Sequence, residues 1–188
     1  MASGSPRRRE LLDQMGIDYE VVVSGVDEEE IKDMQPCELV QALAKIKAQA
    51  VAKKILAKNE DALVIGADTI VVLDNEILGK PTNNLDAIKM LRMLSGKMHI
   101  VYTGVAIVAT KDGPKEMFTQ KTKVYMKNMS QEEIEAYVMT GEPLDKAGSY
   151  GIQGKGGLFI EKIEGDYFSV MGLPISRLYD SLKSLNLK

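Results

Sequence analysis

The residue of this sequence that points most directly to chemistry is an aspartate inside an apolar segment. Asp68 lies within ALVIGADTIVVL at 62–73, whose β-branched residues predict a buried strand with an interruption at 66–69. A buried carboxylate without a partner is costly, so Asp68 needs a cation, a metal ion or a catalytic role. The alternative is an edge-strand turn that exposes the side chain.

A second candidate site lies at the start of the first predicted helix, in the segment SGSPRR at 3–8. Free backbone N–H groups and the helix dipole favour an anion there. The hydroxyls of Ser3 and Ser5 and the guanidiniums of Arg7 and Arg8 suit the oxygens of a phosphate chain. The alternative is a solvated surface helix, but basic residues are unfavourable at a helix start unless something negative lies beside them.

Other polar segments give weaker signals. Most of the acidic run 27–30 is expected to complement a helix dipole on the surface, with one metal ligand as the less favoured interpretation. The glycine-rich stretch 148–157 lacks phosphate-loop spacing and indicates a loop that lets backbone approach a ligand closely. Taken individually, Lys47 and Lys80 are interpreted as surface lysines.

Composition excludes several classes of chemistry. The 188 residues are 45% hydrophobic and 27% charged, as in a soluble globular protein, and the net charge of −3 provides no general attraction for nucleic acid. The single histidine, His99, cannot supply paired zinc ligands and is assigned no role. The single cysteine, Cys37, fits a reducing compartment, and no apolar run is long enough to span a bilayer, so a cytoplasmic protein is expected.

The order of elements predicts a mixed α/β fold in one domain, residues 1–188. Helices are predicted at about 7–15, 36–56, 85–94, 130–139 and 174–185. Strands are predicted at 19–23, 62–73, 76–78, 100–109 and 118–126, and the segments 158–163 and 167–171 flank a turn at 165–166.

Several long polar segments, in this order, resemble the Maf family of nucleotide pyrophosphatases. They are SGSPRRRELL at 3–12, VDEEE at 26–30, ALAKIKA at 42–48, GADTIVVL at 66–73, LGKP at 78–81, LSG at 94–96, EPLDKAGSYGIQGKGG at 142–157 and VMGLP at 170–174. The resemblance implies a twisted sheet flanked by helices in two lobes with a central cleft, similar to the inosine triphosphate pyrophosphatase architecture. It also implies hydrolysis of a nucleoside triphosphate to monophosphate and pyrophosphate, with Mg²⁺ or Mn²⁺ as cofactor.

The resemblance assigns roles residue by residue. Asp68 matches the catalytic acidic residue, and Glu28 joins it as the expected metal contributor. The other matching active-site positions are Ser5, Arg8, Lys47 and Lys80, and Ser3 lies in the first motif. Arg7, Thr69 and Gln153 match the positions that mark the type acting on dTTP, UTP and modified uridine triphosphates, in a nucleotide-pool house-cleaning role.

Other functions stay open on the sequence alone. The 7-methyl-GTP type typically has Asp-Gln where this chain has Asp68-Thr69, and a non-catalytic regulator of septum formation needs no acid among bound phosphates. A nucleic-acid module using Arg7–Arg9 is disfavoured by the acidic net charge and by 5% aromatic residues without tryptophan. Family members are often homodimers, and no nucleic-acid or membrane partner is expected.

One departure from the family concerns the first motif. Family members usually carry several apolar residues before its Ala-Ser, whereas here Met1 directly precedes Ala2. We therefore expect either a start further upstream or a shortened strand beneath the motif.

Overall fold

The computed structural model describes residues 1–26 and 34–185. Its helices are α1 (Pro6–Met15), α2 (Pro36–Leu56), α3 (Asn84–Leu94), α4 (Gln131–Val138), α5 (Tyr167–Met171) and α6 (Ile175–Ser184). Its strands are β1 (Leu63–Leu73), β2 (Glu76–Leu78), β3 (Met98–Ala109), β4 (Gly113–Met126) and β5 (Ile160–Glu164). Three 3₁₀ segments lie at Glu142–Asp145, Ala147–Ser149 and Gly154–Phe159. Within the described ranges, no helix combines the length and apolar character needed to cross a membrane.

The strands form one sheet in the order β2-β1-β3-β4-β5, which confirms the predicted α/β class. Strand β2 pairs antiparallel with β1, with Val71 opposite Leu78, and β5 pairs antiparallel with β4, with Lys123 opposite Glu164. Strand β1 is continuous, so the predicted interruption at 66–69 is wrong. Asp68 is 7% exposed in this interior strand, which also excludes the edge-turn interpretation.

The predicted strand at 19–23 is also wrong, because the structure contains no strand in that segment. Its bonds go to the first residue of the chain: Val22 N donates to Met1 O at 3.1 Å, and the Met1 amino group donates to Glu20 O at 2.6 Å. Ala2 N in turn donates to Ile65 O of β1 at 2.8 Å. Met1 and Ala2 thus link the segment 19–23 to β1 by hydrogen bonds, and neither belongs to a strand.

Contacts divide the chain into two compact units. The first comprises 1–69, 103–120 and 172–188, and its core is built from small residues where α2 packs on β1 and β3. A Cβ atom at Gly66 would overlap with Ala44 O, and one at Gly104 would overlap with Val40 O. The backbone of α2 therefore contacts these strands directly at two points.

The second unit comprises 70–102 and 121–171. Helices α3 and α4 bury their apolar faces in its core, with β1, β3 and β4. Helix α4 begins with a capping box, because Ser130 Oγ accepts from Glu133 N while Glu133 Oε2 accepts from Ser130 N. The segment 167–171 is the short helix α5, whose first amides Phe168 N and Ser169 N donate to Asp166 Oδ1.

His99 of β3 is a packed histidine in the second unit. It is 1% exposed, its Nε2 lies 2.7 Å from Tyr150 Oη, and its Nδ1 has no hydrogen-bonding partner among the described residues. Burial lowers the pKa of His99 to about 4 from an ordinary value of 6.5. The folded protein therefore keeps this imidazole neutral at pH values where the unfolded chain would protonate it.

We predict that this histidine makes the fold sensitive to mild acid. Between pH 6.5 and about 4 the unfolded chain binds a proton that the folded chain does not, so the free energy of unfolding falls as pH falls. Over that window the loss due to His99 is about 3 kcal/mol. Urea unfolding at several pH values checks this, with His99→Gln as the matched variant because glutamine can bond Tyr150 but does not titrate. An equally steep pH dependence in the variant would contradict it.

Candidate active site

The first predicted site lies at the beginning of α1. Pro6 occupies the first helical turn, Leu11 and Leu12 are buried, and Gly16 ends the helix in the left-handed conformation. The first turn contains no acidic residue, and Ser5 as N-cap uses no side-chain oxygen to cap it. The positive end of this helix therefore favours a bound anion.

Arg8 is held in place by three parts of the first unit. Its Nη1 donates to Ser3 Oγ at 3.1 Å, its Nη2 to Thr69 Oγ1 at 3.2 Å and its Nε to Gly172 O at 2.8 Å. Three of the residues predicted from sequence, Ser3, Arg8 and Thr69, are therefore joined by direct hydrogen bonds. A planar guanidinium fixed in this way can present a defined edge to a phosphate.

Two residues of this network were not singled out from the sequence. Thr103 of β3 is fully buried, and its hydroxyl lies 2.9 Å from the hydroxyl of Thr69. Gly172 has φ +117°, and a Cβ there would lie 3.3 Å from Arg8 Nε and 3.5 Å from Thr69 Oγ1. The signal for Gly172 in the sequence is its place in the VMGLP segment at 170–174, which carries the family resemblance, whereas nothing local marks Thr103.

Asp68 and Lys47 form a buried ion pair. Lys47 Nζ donates to Asp68 Oδ1 at 2.6 Å, and the two residues are 9% and 7% exposed. Gly66 and Asp68 lie on the same face of β1, because side chains alternate along a strand, and α2 packs on that face at Gly66. Close packing of α2 therefore brings the lysine to the carboxylate and provides the partner that a buried Asp68 requires.

The remaining predicted residues are placed as follows. Ser5 is half-buried and its N–H donates to Ser3 Oγ at 3.2 Å. Arg7 is half-buried in the first turn of α1. Glu28, the predicted second metal contributor, lies outside the described residues.

Lys80 and Gln153 belong to the second unit. Lys80 is exposed two residues after the end of β2, and Gln153 is half-buried immediately before the 3₁₀ segment Gly154–Phe159. No described residue hydrogen-bonds the side chain of either one.

The described carboxylates do not by themselves form a metal cage. Over residues 1–26 and 34–185, no three His, Cys, Asp or Glu side chains are grouped so as to hold an ion. Mg²⁺, however, is commonly bound through one or two carboxylates while substrate phosphates and water supply the remaining ligands. Asp68 offers one such carboxylate, so the donor set fits an ion that arrives with a polyphosphate.

The chain is thus an α/β protein in which a helix start with a fixed arginine and serine belongs to the same unit as a buried lysine–aspartate pair. The family model described as Maf-like protein matches residues 1–185, and the chain belongs to this family. It is similar to proteins named dTTP/UTP pyrophosphatase from Bacillus cereus (strain AH820), Bacillus anthracis and Bacillus thuringiensis subsp. konkukian (strain 97-27). Each is 53% identical over 187 residues, with all of this chain and 95% of the relative covered.

Proposed function

We propose that this protein hydrolyses dTTP and UTP, together with modified uridine triphosphates, to the nucleoside monophosphate and pyrophosphate. The observation that carries the proposal is the sequence-adjacent pair Asp68-Thr69, of which one residue binds the Lys47 ammonium and the other the Arg8 guanidinium. The curated relatives named dTTP/UTP pyrophosphatase support the same substrates.

The phosphates are bound by the first helix start and by lysines. Ser3, Ser5 and Arg8 bind oxygens of the chain of phosphates, and Lys47 and Lys80 neutralise further charge. Catalysis then consists of positioning and charge stabilisation without a covalent intermediate.

Asp68 acts as general base on the attacking water. Because Lys47 donates to Oδ1, we assign the proton to Oδ2. The water oxygen forms a bond to the α-phosphorus, and the bond from that phosphorus to the bridging oxygen breaks. Pyrophosphate leaves with the electron pair, and its charge is stabilised by the arginine and lysines.

A divalent ion, Mg²⁺ or Mn²⁺, would be held by Asp68 and Glu28 together with phosphate oxygens. When bound, it supplies neutralisation of the phosphate charge. This assignment rests on the donor chemistry of Asp68 and on the family resemblance.

The base is selected by Arg7, Thr69 and Gln153. Uracil and thymine present an N3–H donor between two carbonyl acceptors, and a glutamine amide offers one acceptor and one donor to match them. A site with hydrogen-bonding groups rejects an analogue that leaves those groups unpaired.

A panel of triphosphates tests the proposal. We expect pyrophosphate to be the primary product from dTTP and UTP in the presence of Mg²⁺ or Mn²⁺, and turnover of 7-methyl-GTP to be at least about tenfold slower. Pyrophosphate and orthophosphate are measured separately, with ATP and GTP as matched substrates. Orthophosphate as the primary product would refute the attack at the α-phosphorus, and nucleotide binding without pyrophosphate release would favour a regulator.

The cytoplasmic nucleotide pool contains these substrates, so we propose that the protein acts there. The homodimer expected from the resemblance stays a prediction, which light scattering on the purified protein can test.

A further inference from the structure

A carboxylate outside the proposed catalytic residues organises the glycine-rich loop of the second unit. Glu142 Oε1 accepts from Gly156 N at 3.0 Å, and Glu142 Oε2 accepts from Lys155 N at 3.0 Å. The loop fits tightly against this carboxylate, since Gly154 has φ +69° and a Cβ there would lie 2.8 Å from Oε2. One side chain thus binds two consecutive amides of a segment that has no strand or α-helix to hold it.

Tyr137 of α4 extends this arrangement to the other end of the loop. Its buried hydroxyl donates to Glu142 Oε1 at 2.8 Å and accepts from Gly151 N at 3.1 Å. A Cβ at Gly156 would overlap with both Gly151 O and Tyr137 Oη, so the two ends of the loop and the hydroxyl are in direct contact. Burial raises the pKa of Tyr137, which keeps this hydroxyl protonated as the donor.

Gln153 lies between the two anchored ends. The backbone is held at Gly151 on one side and at Lys155 and Gly156 on the other, so the position of the Gln153 backbone is fixed within the second unit. Its own amide side chain is held by no described residue. The orientation of that amide toward a ligand therefore depends on the backbone that carries it.

We propose that Glu142, together with Tyr137, is a positioning residue for Gln153 and thereby sets the selectivity for the uracil or thymine base. This inference rests on the proposed function, in which Gln153 contacts the base. It adds a role for the first residue of the segment EPLDKAGSYGIQGKGG, to which neither the sequence nor the proposed mechanism assigned one.

The arrangement requires a carboxylate at position 142. All three donors point at Glu142 oxygens, and an ionised carboxyl accepts at both oxygens whereas a glutamine accepts at only one. Burial acts to raise the pKa of Glu142, but the bonds from Gly156 and Lys155 outweigh it, so the pKa lies below its ordinary value. Glu142→Gln keeps the size of the side chain and directs an NH₂ group at a backbone N–H.

Hydrogen exchange tests the anchoring independently of activity. In Glu142→Gln we expect the amide of Lys155 or of Gly156, whichever then faces the NH₂ group, to exchange about tenfold faster or more, since it loses its acceptor. The amides of α4 report global unfolding and should be unchanged. The matched control is Glu161→Gln on β5, an exposed carboxylate in the same unit, which should exchange as the parent does.

The selectivity measurement links the loop to the base. We expect Gln153→Ala to lower the ratio of kcat/KM for UTP over CTP by about tenfold, and Glu142→Gln to lower it by a similar factor. The double variant should lose no more selectivity than Gln153→Ala alone, because both changes remove the same interaction, the contact of Gln153 with the base. Tyr137→Phe, which retains the carboxylate, should give a smaller effect in the same direction and serves if Glu142→Gln does not fold.

The possible outcomes distinguish a failure of this inference from a failure of the proposed function. Three results would each overturn the inference alone. The first is additive losses of selectivity in the double variant, and the second is unchanged hydrogen exchange in Glu142→Gln. The third is normal selectivity in Glu142→Gln when Gln153→Ala has lost selectivity. Unchanged selectivity in Gln153→Ala would overturn both the inference and the proposed contact of Gln153 with the base.

Discussion

Replacing Asp68 by asparagine should reduce turnover of UTP by about 10²–10⁴-fold while nucleotide binding is retained. Asparagine can still accept the hydrogen bond from Lys47, which is 2.6 Å from Oδ1 in the parent, but it cannot take a proton from water. The measurement is kcat for pyrophosphate release alongside a titration of UTP binding.

Asp61→Asn is the matched control for this experiment. Asp61 lies just before β1, is exposed and forms a surface ion pair with Lys111. Circular dichroism at the assay temperature establishes that both variants are folded. Normal turnover of UTP by Asp68→Asn would remove Asp68 from the mechanism.

Replacing Lys47 by methionine should lower the free energy of unfolding by about 3–5 kcal/mol. Methionine fills a similar volume, but the change leaves the Asp68 carboxylate in a nearly water-free position without its cation. Combining Lys47→Met with Asp68→Asn should cost less than the sum of the two single changes, because the double variant contains no unpaired charge. Urea unfolding of the four proteins gives the coupling free energy.

A surface ion pair with the same distance between its charged atoms provides a comparison for the buried pair. Lys111 and Asp61 are also 2.6 Å apart, but their side chains are 64% and 62% exposed, so Lys111→Met should cost less than about 1 kcal/mol. Similar losses for Lys111→Met and Lys47→Met would show that burial of the Lys47–Asp68 pair does not determine its contribution.

The sequence predicts most helices and strands because their apolar periodicity is a local property. It also marks Asp68, because a carboxylate among β-branched residues is expensive to bury. It cannot identify the compensating cation, since α2 carries the four lysines 45, 47, 53 and 54, and only the packing of the helix determines which one is buried. The prediction of a strand at 19–23 is wrong for a similar reason, because a β-branched run forms a strand only where tertiary packing gives it a pairing partner.

The contacts that hold the predicted residues are the least visible in sequence. Thr103 meets Thr69 through the arrangement of β3 beside β1, and the carbonyl of Gly172 meets Arg8 across more than 160 residues of chain. The Glu142 carboxylate binds amides that any residue type would possess. Such interactions follow from tertiary packing, which residue type and spacing do not encode.

The two glycines beneath α2 have a consequence for which substitutions this chain can accept. Neither Gly66 nor Gly104 has a side chain with which to bind substrate, yet together they determine how near the helix axis comes to the sheet. An added methyl group at either position would push α2 outward and lengthen the gap between ammonium and carboxylate. Substitutions at Gly66 or Gly104 should therefore lower catalytic activity, although neither residue has a functional group.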